Sequence, residues 1–282
     1  MKKLIYVIAF CSIIFTAKAQ QDTLKRTTLT LAALYNSNVN YYGQATNEKL
    51  PYILANATLR LPFGLYFSAG SYKLLNYGSG ISETDLGIGY EYEFTPKLTA
   101  GIGYTRSFFP TNSPLLRASN ENNLNVTVDY LWSWLKSSVS TDYAFGKEQD
   151  VFLSLTNSKE IDLGSLFSDK NQIAIEPTFE ISTGTRHFVE TYLIQKEKRN
   201  NSNNKGKAPI SSGNSTQSTT TTLTVPSTTF QVLSYNLKLP LTFSRANYMA
   251  EASIQYSVLG KPTEAELKNH QTFFGLAFYY QF

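Results

Sequence analysis

Short segments in which apolar and polar side chains alternate follow one another from residue 27 to the end of the chain. In the clearest of them, Leu86, Ile88, Tyr90, Tyr92 and Phe94 alternate with Asp85, Gly87, Gly89, Glu91 and Glu93. Because successive side chains of a strand point to opposite faces, this period of two predicts strands with one apolar and one polar face. Turn-forming Pro, Gly and Asn lie between the segments, as in strands joined by turns. The sequence therefore predicts an all-β fold.

The segments number twelve, at about residues 27–36, 51–61, 65–74, 85–94, 98–105, 124–132, 138–145, 151–155, 173–181, 233–243, 252–258 and 273–282. Short turns near Pro62, Pro96, Ser133 and residues 244–247 alternate with longer loops at residues 37–49, 75–83, 109–120 and 260–270. Single-chain bacterial barrels have an even strand number, short periplasmic turns and longer outer loops. Residues 186–196 would make a thirteenth strand, so we interpret them as an extension of the ninth. Twelve is the predicted number, with ten or fourteen as alternatives.

Two connections depart from this pattern of loop lengths. Residues 158–171 are long for the side with short turns, and their apolar residues (Ile161, Leu163, Leu166 and Phe167) predict an ordered segment against the barrel mouth. Residues 196–222 are rich in Asn, Ser, Gly and Thr and nearly lack apolar side chains. Such a composition cannot offset the entropy of ordering. It predicts a flexible extracellular loop, either tolerated as extra length or used for adhesion.

Aromatic residues distinguish a membrane barrel from a secreted sandwich, which also alternates. Several apolar faces end in aromatic rings beside the short turns, namely at Tyr92 and Phe94, at Tyr130 and Trp132, at Phe243, and at Phe278, Tyr280 and Phe282. A girdle of this kind is typical of a strand that ends at a membrane interface. Strands of about ten residues suffice to cross the hydrocarbon. The pattern favours a transmembrane antiparallel up-and-down barrel, with the sandwich as the alternative.

The last strand carries a more specific pattern at its apolar face, formed by Phe274, Leu276, Phe278, Tyr280 and the terminal Phe282. It resembles the closing strand of Gram-negative outer-membrane β-barrel proteins of the porin-like kind. In that family a terminal Phe, with aromatic or apolar residues at alternate positions, is the signal read by the barrel-assembly machinery. The resemblance implies Phe282, Tyr280 and Phe278 as the assembly signal, and outer-membrane lipid and the assembly machinery as partners.

The N-terminus predicts export. Lys2 and Lys3 precede an apolar run over residues 4–15, and Ala17-Lys18-Ala19 supplies a small-x-small cleavage pattern. These features indicate a secretory signal peptide at residues 1–19, leaving residues 20–282 as a single barrel domain. An uncleaved anchor helix and lipoprotein processing at Cys11 are the weaker interpretations. The signal holds the only cysteine and three of the 25 basic residues, which face 21 acidic ones. The mature chain is therefore nearly neutral, without disulfides and without the charge expected of a nucleic-acid-binding protein.

Charged residues on the polar faces predict the function. They form an acid-rich set comprising Asp85, Glu91, Glu93, Asp129, Asp142, Glu176, Glu180, Glu251, Arg60, Lys97 and Lys238. In a barrel these side chains would line the lumen, where charge sets ion selectivity. The set favours a narrow porin-like channel for small polar solutes or ions, with a weak preference for cations. Pairing of the same charges across the lumen would instead close it and leave a structural or adhesive barrel.

An outer-membrane lipid-modifying hydrolase is the third and least favoured possibility. The mature chain has two histidines, His187 and His270, which could approach Ser182, Glu180 or Glu190 near the outer rim. No stretch resembles the His-Ser-Asn pattern of the outer-membrane phospholipases. No metal-ligand spacing or nucleotide-binding motif is present, so neither a cofactor nor a metal is predicted. The solute and the oligomeric state stay open.

Overall fold

The computed structural model describes residues 26–45, 49–78, 80–110, 113, 120–146, 149–165, 170–185, 230–260 and 269–282. Its fourteen strand segments are β1 (Thr28–Asn36), β2 (Tyr52–Arg60), β3 (Leu65–Leu74), β4 (Glu83–Thr95), β5 (Leu98–Phe108), β6 (Asn122–Leu131), β7 (Lys136–Phe145), β8 (Gln149–Ser158), β9 (Ile161–Gly164), β10 (Asn171–Ile175), β11 (Thr178–Gly184), β12 (Gln231–Arg245), β13 (Tyr248–Leu259) and β14 (His270–Gln281). Within these ranges no helix is long and apolar enough to span a membrane.

The strands form one closed antiparallel barrel. β1 to β8 pair in chain order, β12 to β14 do the same, and β1 pairs with β14. β11 joins the two halves because it pairs with both β8 and β12. β10 and β11 lie end to end along β12, so together they make one barrel strand. The ring therefore contains twelve strands in up-and-down order, which confirms the predicted fold class and strand number.

The outer surface of the barrel is an apolar belt. In β14, Phe274, Leu276, Phe278 and Tyr280 are exposed while Gly275, Ala277 and Tyr279 face inward. The same alternation gives exposed Leu, Ile, Val and aromatic side chains on the other barrel strands. Exposing such a continuous apolar belt to water is unfavourable, whereas contact with lipid is favourable. This belt defines the fold as a transmembrane-type barrel.

Aromatic rings contact one another at the rim with the short turns. Tyr92 and Phe94 lie 4.9 Å apart, Tyr130 and Trp132 4.6 Å apart, and Tyr280 and Phe282 4.7 Å apart, each pair edge to face. These clusters lie where the sequence predicted the girdle. Phe282, which directly follows β14, is tied to β1 because its N–H donates to the Leu29 carbonyl at 2.9 Å.

The ninth barrel strand, which the sequence predicted as continuous, is interrupted at a point where two prolines of neighbouring strands lie close together. β10 ends at Ile175 and β11 begins at Thr178. The gap holds Pro177 and lies beside Pro240 of β12, and neither proline can donate to a ladder. The Thr178 hydroxyl instead donates to the Glu176 carbonyl at 2.8 Å, and the Lys159 N–H donates to the Pro177 carbonyl at 3.2 Å. The carbonyls at the break are therefore satisfied, as a barrel wall requires.

Within the connection at residues 158–171, β9 extends the wall, whereas Leu166 and Phe167 lie outside the described residues. β9 pairs with β10, from Ile161 opposite Ile175 to Gly164 opposite Ile173. Gly164 then takes a left-handed conformation with φ of 92°, which glycine adopts without a steric cost. Three other predicted segments lie outside the described residues: the signal peptide at 1–19, the strand extension at 186–196 and the extracellular loop at 196–222.

Candidate functional site

The charged residues singled out in the sequence lie on the strand face opposite the apolar belt, which is the inner face of the closed barrel. They are Arg60 on β2, Asp85, Glu91 and Glu93 on β4, Asp129 on β6, Asp142 on β7, Glu176 before β11, Glu180 on β11, Lys238 on β12 and Glu251 on β13. Lys97 is exposed in the β4–β5 turn at the rim. The wall of the lumen is the candidate functional site.

The ion pairs of the lumen run along its wall. Arg60 and Glu91 lie 2.9 Å apart, and Lys238 and Glu251 lie 3.1 Å apart. A third pair joins Lys136 of β7 to Asp129 of β6 at 3.3 Å. Each pair joins strands that are adjacent or two apart in the ring, so none of the three crosses the lumen. Pairing of this kind leaves the centre of the barrel unbridged.

Polar neighbours hold most of the remaining carboxylates. The Ser107 hydroxyl donates to Asp85 at 2.6 Å, and the Ser158 hydroxyl donates to Glu176 at 2.7 Å. Glu180 is the most connected, because it accepts from Ser182 at 2.7 Å, from Asn236 at 2.8 Å and from Thr156 at 3.5 Å. Hydrogen bonds donated to a carboxylate stabilise its charged form and fix its position.

Three lumen residues were missed by the sequence interpretation. Glu83 precedes Asp85 by two residues, so it lies on the same face of β4. Asp150 of β8 is 1% exposed and accepts from Thr185 at 2.6 Å and from Asn120 at 3.3 Å. Lys136 supplies the third ion pair. The alternation of β4 and β8 would have identified both acids if every charged residue on their polar faces had been included.

The described lumen carries an excess of negative charge. Its acids are Glu83, Asp85, Glu91, Glu93, Asp129, Asp142, Asp150, Glu176, Glu180 and Glu251, and its bases are Arg60, Lys136 and Lys238. A low-dielectric wall lined by one sign of charge concentrates counter-ions inside it.

Residues 37–45, which follow β1, fold into the barrel instead of away from it, which the sequence did not predict. Their tip is a tight turn in which Tyr41 and Gln44 exchange two backbone hydrogen bonds of 2.8 and 2.9 Å. Tyr42 and Gly43, the central residues, have φ of 48° and 83°. Two successive left-handed residues are what a type I′ turn requires. Residues 41–44 are called the lumen turn from here on.

The lumen turn docks on the far wall. The Tyr42 ring stacks on Phe152 of β8 with 4.1 Å between centroids and 13° between planes, and its phenol lies near the carboxylate of Asp142 on β7. The Ser234 hydroxyl of β12 donates to the Tyr42 carbonyl. β7 stands six places from β1 in the twelve-strand ring, directly opposite it. The turn consequently crosses the lumen and narrows it.

Buried contacts secure both ends of this crossing. At its base, the Asn38 side-chain carbonyl accepts from the Val39 N–H at 3.0 Å and from the Leu50 N–H at 2.7 Å. Leu50 packs with Leu74 in a small apolar cluster. At the tip, burial and then the nearby carboxylates, Asp142 first, raise the pKa of the Tyr42 phenol above its ordinary value. The phenol of the docked turn is therefore harder to deprotonate than an exposed phenol.

The residues considered for hydrolysis do not come together. The His270 ring stacks on Tyr256 with 6.1 Å between centroids, and both are exposed on the outer face. Ser182 is fully buried on the inner face beside Glu180. His187 and Glu190 lie outside the described residues. Among the described residues, no three His, Cys, Asp or Glu side chains are placed to hold a metal ion.

No protein-family model matches the sequence, and none of the curated proteins matches it. Comparison with solved structures gives outer-membrane proteins of low identity. The KdgM porin is 9% identical with a TM-score of 0.46, over 90% of this chain and 99% of the porin. The NanC porin is 8% identical with a TM-score of 0.44, over 89% of this chain and 98% of the porin. A Pseudomonas putida F1 outer-membrane channel is 8% identical with a TM-score of 0.44, over 95% of this chain and 100% of the channel.

Barrels of one architecture serve unrelated functions. At identities of 8–9% and TM-scores below 0.5, the function has to be inferred from the residues of this chain. Its fold defines the class: a twelve-stranded up-and-down barrel with an apolar outer belt and a polar, acid-rich lumen.

Proposed function

We propose that this chain is a Gram-negative outer-membrane protein that forms a narrow, cation-favouring channel for small polar solutes or ions. The acid excess of the lumen carries the proposal, since charge lining a pore selects the ions that enter it. A barrel of this strand number is wider than an eight-stranded barrel filled by side chains and narrower than a porin of sixteen strands. The short-turn rim would face the periplasm and the lumen turn would lie toward the cell exterior.

Conductance of the refolded mature chain in planar bilayers tests this function. Under a KCl gradient, the reversal potential should indicate a preference for K⁺. Replacing Glu91 and Glu93 with Gln should reduce that preference, because it removes two carboxylates and leaves Arg60 without its partner. The matched variant Arg60→Gln should raise the preference, because it removes the opposite charge at the same place. An anion preference, or equal selectivity in all three proteins, would refute the proposal.

A closed surface barrel is the second candidate, and the lumen turn is the observation that favours it. If the turn seals the barrel, the protein will insert into bilayers without discrete openings. A variant whose turn cannot dock distinguishes the two candidates. If the turn seals the barrel, this variant should conduct although the native protein does not. Silence of both proteins would leave the structural or adhesive barrel as the function.

A further inference from the structure

The wall that receives the lumen turn is held in place by its own hydrogen bonds. Asp142 accepts from the amides of Asn123 and Asn125 at 3.0 and 2.9 Å. On the neighbouring strands, the Asn236 amide donates to Glu180 at 2.8 Å. Since none of these bonds involves the turn, the arrangement should persist when the turn leaves.

Four residues of this wall offer complementary chemistry to a small solute. Phe152 presents a ring face, Asp142 accepts hydrogen bonds, and the Ser234 hydroxyl donates one. The Asn236 side-chain oxygen is a further acceptor: this residue is 3% exposed, and its oxygen has no hydrogen-bond partner among the described residues. A buried acceptor without a donor is costly unless something occupies it. We call Asp142, Phe152, Ser234 and Asn236 the wall subsite.

We propose that the wall subsite binds a neutral or cationic sugar ring and that the lumen turn occupies it in the absence of solute. The proposal rests on the channel function and names its solute class. A sugar ring has an apolar face that stacks on an aromatic ring, and hydroxyls that both donate and accept. The Tyr42 ring stacks on Phe152 and the Tyr42 carbonyl accepts from Ser234, so the turn makes two of the contacts that a sugar would make. Turn and sugar therefore compete for one surface.

The charge around the subsite selects among sugars. Asp142 belongs to the subsite, Glu180 accepts from the Asn236 amide at 2.8 Å, and Asp150 lies two residues before Phe152 on the same face of β8. An amino sugar would gain a charge-assisted hydrogen bond there, whereas the carboxylate of an acidic sugar would be repelled. The subsite should rank a cationic sugar above a neutral one, and a neutral one above an anionic one.

Titration calorimetry of the folded protein in detergent tests the subsite without requiring conductance. Glucosamine, glucose and glucuronate at mildly acidic pH provide three rings that differ in charge. Tyr42→Ala should bind glucosamine about tenfold more tightly than the native chain, because the competing side chain is gone. Phe152→Leu should weaken glucosamine and glucose by about threefold to tenfold, the range of one aromatic contact. Asp142→Asn should abolish the advantage of glucosamine over glucose.

Matched controls lie elsewhere on the inner wall. Phe273→Leu removes another buried aromatic ring, on β14, and Asp129→Asn removes another lumen carboxylate, on β6. Neither should change sugar affinity. Should Tyr42→Ala fail to fold, Gly43→Ala would expose the subsite by a different route. If the native protein conducts but neither turn variant binds glucosamine, the subsite is refuted and the channel function is not. Binding by a protein that never conducts would support the subsite and refute the channel.

Discussion

At the scale of single residues, Gly43 decides whether the lumen turn can dock. A Cβ at this position would collide with the side chains of Ser234 and Asn236, and φ of 83° is strained for any other residue. Gly43→Ala should therefore displace the turn and increase single-channel conductance. Gly78→Ala is the control, because Gly78 has φ of 63° with nothing near its Cβ position. Equal conductance in the two variants would show that the turn does not limit the pore.

The Tyr42 phenol makes the same contact sensitive to pH. Its pKa is raised above the ordinary value of 10.0, first by burial and then by Asp142. Deprotonation is easier once the turn is undocked, because the phenol then has its ordinary pKa. The docked turn therefore keeps its full stability below pH 10.0 and loses stability as the pH rises further. Conductance should therefore increase above about pH 10. Tyr42→Phe has no phenol to titrate, so its conductance should stay constant over that range.

At the scale of elements, the double-proline break depends on one hydroxyl. Thr178→Val would leave the Glu176 carbonyl without the donor that lies 2.8 Å away. Loss of that hydrogen bond should lower the free energy of unfolding by about 1 to 3 kcal/mol, measured by urea titration in lipid vesicles. Thr58→Val removes a hydroxyl that donates to the Asn56 side chain at 3.0 Å. Its effect should be smaller, since no backbone carbonyl loses a partner.

Period-two alternation was enough to locate the twelve barrel strands, because the two faces of each strand meet such different surroundings. It could not locate the break at Pro177, since residues on both sides keep the same alternation. Nor could it indicate that residues 37–45 fold inward. Their docking depends on Ser234 and Phe152, which are distant in sequence and carry no local signal. Asn40 and Gly43 predict a turn, but they do not say where it points.

For the lumen residues, too, alternation predicted the face of the strand but not the contacts across strands. Glu91 and Glu251 were assigned to the inner face from strand periodicity alone. The ion pairs that hold them, with Arg60 and Lys238, depend on strand register, which alternation does not fix. Whether charges pair along the wall or across it decides between an open and a closed lumen. The sequence could not make this distinction, because a pair can be placed along or across the lumen only once the order of the strands in the ring is known.

At the scale of the whole molecule, we expect Phe282 to affect assembly without affecting stability. Its side chain is 63% exposed on the outer face, while its N–H bonds Leu29 through the backbone. Phe282→Ala should therefore refold in detergent nearly as well as the native chain, yet accumulate less in the outer membrane of cells. Phe94→Ala is the matched control, a 59% exposed ring at the same rim, and it should assemble normally. Heat-modifiable mobility of the barrel in membrane fractions measures assembly. Normal accumulation of Phe282→Ala would show that the terminal ring is only part of the girdle.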